Sequence, residues 1–451
     1  MNLPIQQRLI DRLRSGPASA AALAEAIGVS RNTIMRAIQP LERDGRLVRW
    51  GTTRGARYGL TRQVGSVGSS WPLYCISDQG QPEQVATVHA IERDRYFVTS
   101  HIERLRGSFE GPPHYLQDAR PGGFLGRAIP TAHPELALPP RVVDWNDDHV
   151  LVYLTQRGSE ITGNLILGTA ALDRFLSGGH QPPLVAAIER RHQYPAMAAA
   201  AMRGSPPASS THGEHPKFSA RIARSDGGVA HALVKFSPPR TTAVGVRWAD
   251  LLLAEHAAAV LLDEHGLTAA PSELHEFGDQ VFLESQRFDR AGNAGRLGVA
   301  SLLCVDAERY GRLDSWLAAA ERLRADGLLS DDDTTRLAVL DTFGALIANS
   351  DRHFGNVTLF DDRRGPFRLA PVYDMLPMLF APQDGHLVER VFTPVGPTAA
   401  SLQAWPRARA LAEEYWLRLS RDDRITVEFR AICSTALRSV RTLPATPAPP
   451  R

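Results

Sequence analysis

Lysine is almost missing from this chain. Of 51 Lys+Arg residues in 451, only Lys217 and Lys235 are lysine, and they lie eighteen positions apart. Where arginine serves as the generic surface cation, lysine is expected to persist where a compact ammonium is needed, such as against phosphate. Cysteine is also scarce. Cys75, Cys304 and Cys433 are odd in number, far apart and lack C-x-x-C spacing, which excludes a disulfide framework and a zinc ribbon and points to reduced thiols in a cytoplasmic protein. No apolar run reaches membrane-spanning length, and MNLPIQQRLIDRLRSG has no apolar h-region, so neither a membrane segment nor a signal peptide is expected. A net charge of only +2 leaves nucleic-acid affinity to local asymmetry. The hydrophobic fraction of 43% and charged fraction of 22% are those of a soluble globular protein, and the length implies two or three domains.

Residues 1–62 supply that asymmetry, with eleven Arg against four Asp+Glu, a local net of +7. Ile5, Leu9, Ile10 and Leu13 repeat at helical spacing. A short helix carrying Leu23, Ala26 and Ile27 then leads to a turn at Gly28-Val29, and Ser30 caps a second helix with Ile34, Ile38 and Leu41 facing inward. RLVRWGTTRGARYGL reads as two strands around a turn. The pattern is that of a winged helix-turn-helix. Its second helix would bring Ser30, Arg31, Asn32, Thr33 and Arg36 to double-stranded DNA in the major groove, with Arg54 and Arg57 on the wing gripping backbone or minor groove. The competing reading is a small helical dimerisation domain.

Residues 63–285 carry short β-branched and aromatic runs punctuated by Gly and Pro: QVATVHAI, RYFVTSHI, HVLVYLTQ, GNLILG, KFSARIAR, HALVKFS and QVFLES. Helical periodicity dominates residues 286–440, in DSWLAAAERLRAD, DDTTRLAVLDTFGALIANS and RALAEEYWLRLS. Residues 441–451 are too proline-rich to fold. The expected architecture is α+β and multidomain, with a β-rich lobe and a helical lobe that would enclose a cleft.

The chemistry concentrates after LDTFGALIANS. Asp351 and Asn356 lie five apart in SDRHFGNVTLF, and Asp374 ends the strand-like LAPVYD. Transfer of the ATP γ-phosphoryl group needs an aspartate to position and deprotonate a hydroxyl, and an Asn and a second Asp to hold Mg²⁺. D-x-x-x-x-N followed by D has that order, and the strand lysine of HALVKF precedes it by over a hundred residues.

These segments, with GSEITGNLILG, HGEHPKF, LLAEHAAAVLLDEHGL, LESQRFDR and YDMLP, resemble the HipA-like serine/threonine kinases of bacterial toxin-antitoxin modules over roughly residues 70–440. The resemblance implies a HipA-type protein-kinase-like fold, Mg-ATP as donor, and phosphorylation of protein Ser/Thr, with the translation machinery as the family's theme. It makes Asp351 the catalytic base and His353 an organiser of its loop. Asn356 and Asp374 fall on magnesium, and Lys235 on the α/β-phosphates. Gln286 and Phe288 would offer backbone groups to adenine, and Asp289 would face the ribose. Gly213 and Lys217 belong to the phosphate-binding loop, where Ser210 falls at the family's autophosphorylated serine. Glu214 and His215 depart from the family pattern there, and Glu255 is a conceivable partner for Lys235 that a helix glutamate's usual solvation argues against. A fused winged helix is less usual in this family, whose DNA binding comes from a separate antitoxin. Whether a separate antitoxin or a homodimer exists here is left open. Three functions remain in contention: an active toxin kinase that also binds DNA, a transcription regulator with a nucleotide-sensing body, and a nuclease, for which no second carboxylate cluster is present.

Overall fold

The computed structural model describes residues 4–51, 55–92, 94–178, 181–203 and 215–445. The architecture is mixed α+β. Contacts divide it into two compact units, the first being Met1–Ser77, Gln81–Arg120 and Asp144–His180, the second Asp78–Gly80, Pro121–Val143 and Gln181–Arg451.

The first unit begins with three helices, α1 (Ile5–Leu13), α2 (Ala20–Ile27) and α3 (Arg31–Arg43). Leu9, Leu13, Leu23, Ile34, Ile38 and Leu41 are fully buried between them. Gly28 ends α2 at φ 71, a left-handed conformation in which a side chain would be strained. Two residues on, the Ser30 hydroxyl accepts from the Thr33 N–H at 3.2 Å and starts α3. Strands β1 (Ala18–Ser19), β2 (Leu47–Trp50) and β3 (Arg57–Leu60) form an antiparallel sheet with β3 central.

The β2–β3 hairpin is joined to a second sheet of the same unit, built from β4 (Ser70–Ile76), β5 (Pro82–Ile91), β6 (Arg95–Ser100), β7 (Gly107–Glu110) and β8 (Leu165–Leu167) in the order β7-β6-β5-β4-β8. Thr61 bridges Ile91, and the Arg62 N–H donates to the Ala90 carbonyl at 2.9 Å. The Trp50 ring stacks on Phe97 at 4.6 Å, and the Arg62 guanidinium reaches Asp148 at 2.6 Å and the Tyr96 hydroxyl at 3.1 Å. A domain boundary after residue 62 therefore falls inside a hydrogen-bonded seam.

One expected strand is a helix. HVLVYLTQ lies within Asp147–Arg157, which Asn146 caps by accepting from the His149 N–H at 3.0 Å while His149 Nδ1 accepts from the Asn146 N–H at 3.2 Å. Asp147 and Asp148 in the first turn suit the helix dipole. Val150, Leu151 and Leu154 are buried at helical spacing. The Asn146 cap and the helical spacing of the apolar residues override the strand preference of Val150, Val152 and Thr155.

The second unit holds a five-stranded sheet of β9 (Leu184–Val185), β10 (Lys217–Ala223), β11 (Val229–Phe236), β12 (Ser272–Phe277) and β13 (Gln280–Gln286), in the order β12-β13-β11-β10-β9. Only the β9–β10 pair is parallel. Phe218, Ala220, Val234, Phe236 and Phe282 cover one face with Tyr194 of the helix Arg190–Arg203. On the other, Val281 and Leu283 meet Ala249 and Leu252 of the long helix Ala243–Glu264. Residues 63–285 thus contain two separate sheets, one in each unit. The remaining core is helical, with Trp316, Phe343, Tyr415, Trp416 and Phe429 buried among Trp316–Ala325, Asp331–Leu346, Trp405–Arg421 and Val427–Arg441. Within the tail, residues 446–451 lie outside the described residues.

Removing the Trp50 ring should loosen the seam. Trp50→Ala is expected to lower the opening free energy of β5 and β6 by about 1–2 kcal/mol, since a stacked aromatic pair contributes about 0.5–1.5 kcal/mol beyond its burial. Hydrogen exchange read by mass spectrometry checks this as faster exchange in those strands. Unchanged protection there would show that the stack carries no load.

Candidate functional site

The register of β10 and β11 sets the two lysines of the chain directly opposite each other, Lys217 against Lys235. At the neighbouring position the Phe236 N–H donates to the Pro216 carbonyl at 3.1 Å. The lysines therefore occupy a non-hydrogen-bonded pair, the one in which side chains lie closest and on one face. Like charges so placed destabilise a sheet, so an anion is the natural complement of this position.

On the same face the helix Ala243–Glu264 presents Glu255. Lys235 Nζ donates to both of its carboxylate oxygens, at 2.6 and 2.8 Å, and each side chain is only 8% exposed. Lys235 also contacts Asp374 Oδ1. Burial lowers the Lys235 pKa, Glu255 opposes that shift, and Lys217 adds to it. The Lys235–Glu255 pair, discounted from sequence, is a buried ion pair. His215 lies beside these groups, edge-on to Trp248 at 4.5 Å. Burial, followed by the repulsion of Lys235 and Lys217, holds its pKa well below the ordinary value, so it is neutral.

The acids come from two loops. Helix Asp331–Leu346 starts at Ser330, which accepts from the Asp333 N–H, and its end leads through Ala348, at φ 60, to Asn349. Asn349 is 3% exposed and joins the loops, its Oδ1 accepting from the Asp351 N–H at 3.0 Å and its Nδ2 donating to the Asp374 carbonyl at 3.3 Å. Arg352 clamps the same turn through Asp341 at 2.5 Å and the Asn349 carbonyl at 3.1 Å. A Cβ at Gly344 would meet Arg352 at 2.5 Å, which accounts for the glycine. Asn349, Arg352 and Gly344 escaped sequence reasoning, although all fall in or beside LDTFGALIANSDR.

Asp351 presents a half-exposed carboxylate, with His353 Nε2 at 3.8 Å. His353 Nδ1 accepts from the Gly355 N–H at 3.0 Å, which caps the turn and leaves the ring proton on Nε2 toward Asp351. Asn356 Nδ2 donates to the Asp351 carbonyl at 2.8 Å, which leaves its Oδ1 as an acceptor. In LAPVYD, Leu369 ends the short strand Arg368–Leu369 and Val372 bridges Ala269, and Asp374 sits beyond both at φ 55. A non-glycine residue in that conformation is uncommon and marks a constrained site. Between the loops and the sheet lies a small cavity lined by Glu255, Leu283, Ser285, Val372, Tyr373 and Asp374 among others.

The hinge residues fall into three different situations. Gln286 ends β13, and its N–H donates to the Pro271 carbonyl at 2.8 Å. Phe288 packs against Phe360 and Tyr373, each at 5.9 Å. Asp289 is buried, with Arg287 at 2.8 Å and Arg290 at 2.7 Å on its carboxylate. Away from the cleft, Glu273, His275 and Glu284 are close enough for a metal, but Arg190 lies 3.0 Å from Glu284, and Tyr194 donates to it, which makes the group an ion-pair cluster.

In the first unit Arg31, Asn32, Arg36 and Arg57 are exposed. Ser30 and Thr33 hydroxyls are bonded to each other at 2.8 Å. Arg54, Ser210, Gly213 and Glu214 lie outside the described residues.

Residues 67–176 match the family described as YjjJ-like toxin, middle domain, and residues 209–440 the HipA-like C-terminal domain. Toxin YjjJ of Escherichia coli (strain K12) is 35% identical over 436 residues, covering 96% of this chain and 97% of the relative. The chain belongs to the HipA-like toxins. Among solved structures, the Shewanella oneidensis MR-1 toxin-antitoxin complex of HipA, HipB and operator DNA matches with a TM-score of 0.51 at 13% identity, over 83% of this chain and 97% of that one. That likeness shows a HipA-like fold.

Two outcomes follow for this HipA-like site. Lys235→Met leaves Glu255 buried without its cation and should destabilise the second unit by about 3–5 kcal/mol, while Lys235→Met with Glu255→Leu should recover most of it. Thermal unfolding of the four proteins in the cycle measures the coupling, and equal losses in single and double variants would refute it. For His215, the unfolded chain takes up a proton below about pH 6.5 while the folded site resists it, so stability falls as pH falls. His215→Gln should flatten the melting temperature between pH 7.5 and 5, and an unchanged slope would assign it elsewhere.

Proposed function

We propose that this HipA-like toxin is a serine/threonine protein kinase that moves the ATP γ-phosphoryl group to a protein hydroxyl, with the translation machinery as the substrate class and a serine of its own phosphate loop as a second acceptor. The observation that carries the reading is the convergence on one cleft of the opposed lysines, Glu255, Asp374 and, through Asn349, Asp351.

Asp351 is placed to accept the proton of the attacking hydroxyl as the oxygen–phosphorus bond forms and ADP departs, and its exposure leaves room for a protein substrate. Glu255 holds the Lys235 ammonium in place, and Lys235 with Lys217 orients the phosphates. The free Oδ1 of Asn356 and the Asp374 carboxylate form an oxygen donor set suited to Mg²⁺. When bound, Mg²⁺ offsets phosphate charge. Phe288 and Tyr373 give adenine an aromatic wall, and His353 keeps the Asp351 loop in shape.

Residues 1–62 are read as a winged helix-turn-helix binding double-stranded DNA, for autoregulation or targeting. Support comes from the capped α3 and its exposed arginines and from the operator DNA and HipB in the solved relative's complex, which also keep an antitoxin among the partners. Among the described residues no helix is long and apolar enough to cross a membrane, in keeping with a cytoplasmic setting.

Incubation with Mg-ATP followed by intact mass and peptide mapping tests the kinase reading. Asp351→Asn should slow transfer by about 10²- to 10⁴-fold, Asp374→Asn should abolish it, and Lys235→Arg should not restore it, because a guanidinium fork does not fit an ammonium site. Absence of phosphate from any acceptor with wild-type protein would leave the regulator reading in its place.

A further inference from the structure

Helix α3 buries Ile34, Ile38 and Leu41. At 100° per residue, the side directly opposite carries Asn32, Arg36, Gln39 and Arg43, at i, i+4, i+7 and i+11, a stripe about 16 Å long. All four are exposed, and none of their side chains has a hydrogen bond or ion pair among the described residues. Arg31 falls to the side of this stripe, nearer the buried face, and Ser30 and Thr33 are engaged in the cap.

Strand register sorts the hairpin arginines in the same way. Arg57 pairs with Trp50, so both project from one face of the hairpin, and Trp50 on that face stacks against Phe97 of the second sheet. Arg49 pairs with Tyr58 and projects from the other face. The Tyr58 hydroxyl donates to Met35 Sδ of α3 at 3.6 Å, which places exposed Arg49 alongside α3. On the Trp50 face the ring of Trp50 is packed against the second sheet with Arg57 exposed beside it, and the Arg49 face is the one that borders the stripe.

We infer that the DNA-reading surface is the stripe Asn32, Arg36, Gln39 and Arg43 flanked by Arg49, and that Arg57 is not part of it. The inference rests on the DNA reading of residues 1–62 and names the side chains that perform it. Its chemistry suits the major groove, where Asn and Gln make paired hydrogen bonds to adenine, and Arg does so to guanine or contacts phosphate. Arg49, to one side of the helix, meets the sugar-phosphate rail.

The test uses the full chain and a pool of random-sequence duplexes to select a preferred site, followed by anisotropy titrations across a salt series. Gln39→Ala should lose roughly tenfold to a hundredfold of the preference for the selected site over scrambled duplex, because base contacts carry the discrimination. Arg49→Ala should weaken binding to every sequence and make the log-log salt slope shallower by about 0.9, the loss of one phosphate contact. Arg57→Ala should change neither. A shallower slope with Arg57→Ala and not with Arg49→Ala would overturn the assignment, as would intact preference in Gln39→Ala. If the wild-type protein binds no duplex, or prefers a single-stranded RNA pool, the DNA reading itself fails and this inference with it.

Discussion

The buried contact between Lys235 and Glu255 is the constraint on which the second unit's cleft depends. A strand and a helix each bring one charge into a region where neither is stable alone, and the pair is tolerable only because two hydrogen bonds satisfy it. That requirement fixes how the long helix lies on β11 and β13, with Leu252 and Leu283 packed beside it. It also fixes where the ammonium points, and Asp374 comes to the same nitrogen from a different loop. A methionine-leucine pair would hold the sheet and helix together as well, so the charges are better explained by what the cleft binds than by stability.

The opposed lysines sharpen that conclusion. Burial and Lys217 both disfavour a charged Lys235, and Glu255, followed by Asp351, opposes them. Two ammonium groups at the closest cross-strand position represent a standing cost, one that a polyanion bridging them would reverse. Neutral His215 contributes to the same economy, because a third cation there would oppose the other two.

How much of this was legible in the sequence depends on the distance over which each feature is determined. The α2–α3 turn could be read because Gly28, Ser30 and the inward Ile34, Ile38 and Leu41 are local signals. Lys235, Asp351, Asn356 and Asp374 stood out through their order and spacing. Register could not be read, so the opposition of the two lysines and the placing of Arg57 on the Trp50 face of the hairpin came only with the sheets. Glu255 looked like any helix glutamate until the helix was seen to face β11. HVLVYLTQ misled because β-branched composition was weighed without the Asn146–His149 cap before it.

Asn349 shows why the acidic loops have to be considered together. A single buried amide donates to the backbone beside one aspartate and accepts from the backbone of the other. Its two ends are chemically different, so an aspartate here would lose the donor and a leucine both bonds. Asp374 is held at a left-handed φ and Ala348 likewise, strain that persists only where surrounding bonds over-determine it. Arg352, locked over Gly344, supplies the second anchor from the helix side. The separation of the two aspartates is therefore set by backbone bonds to one side chain, so neither carboxylate is needed to hold the loops: that of Asp351 stays half-exposed, and that of Asp374 meets Lys235.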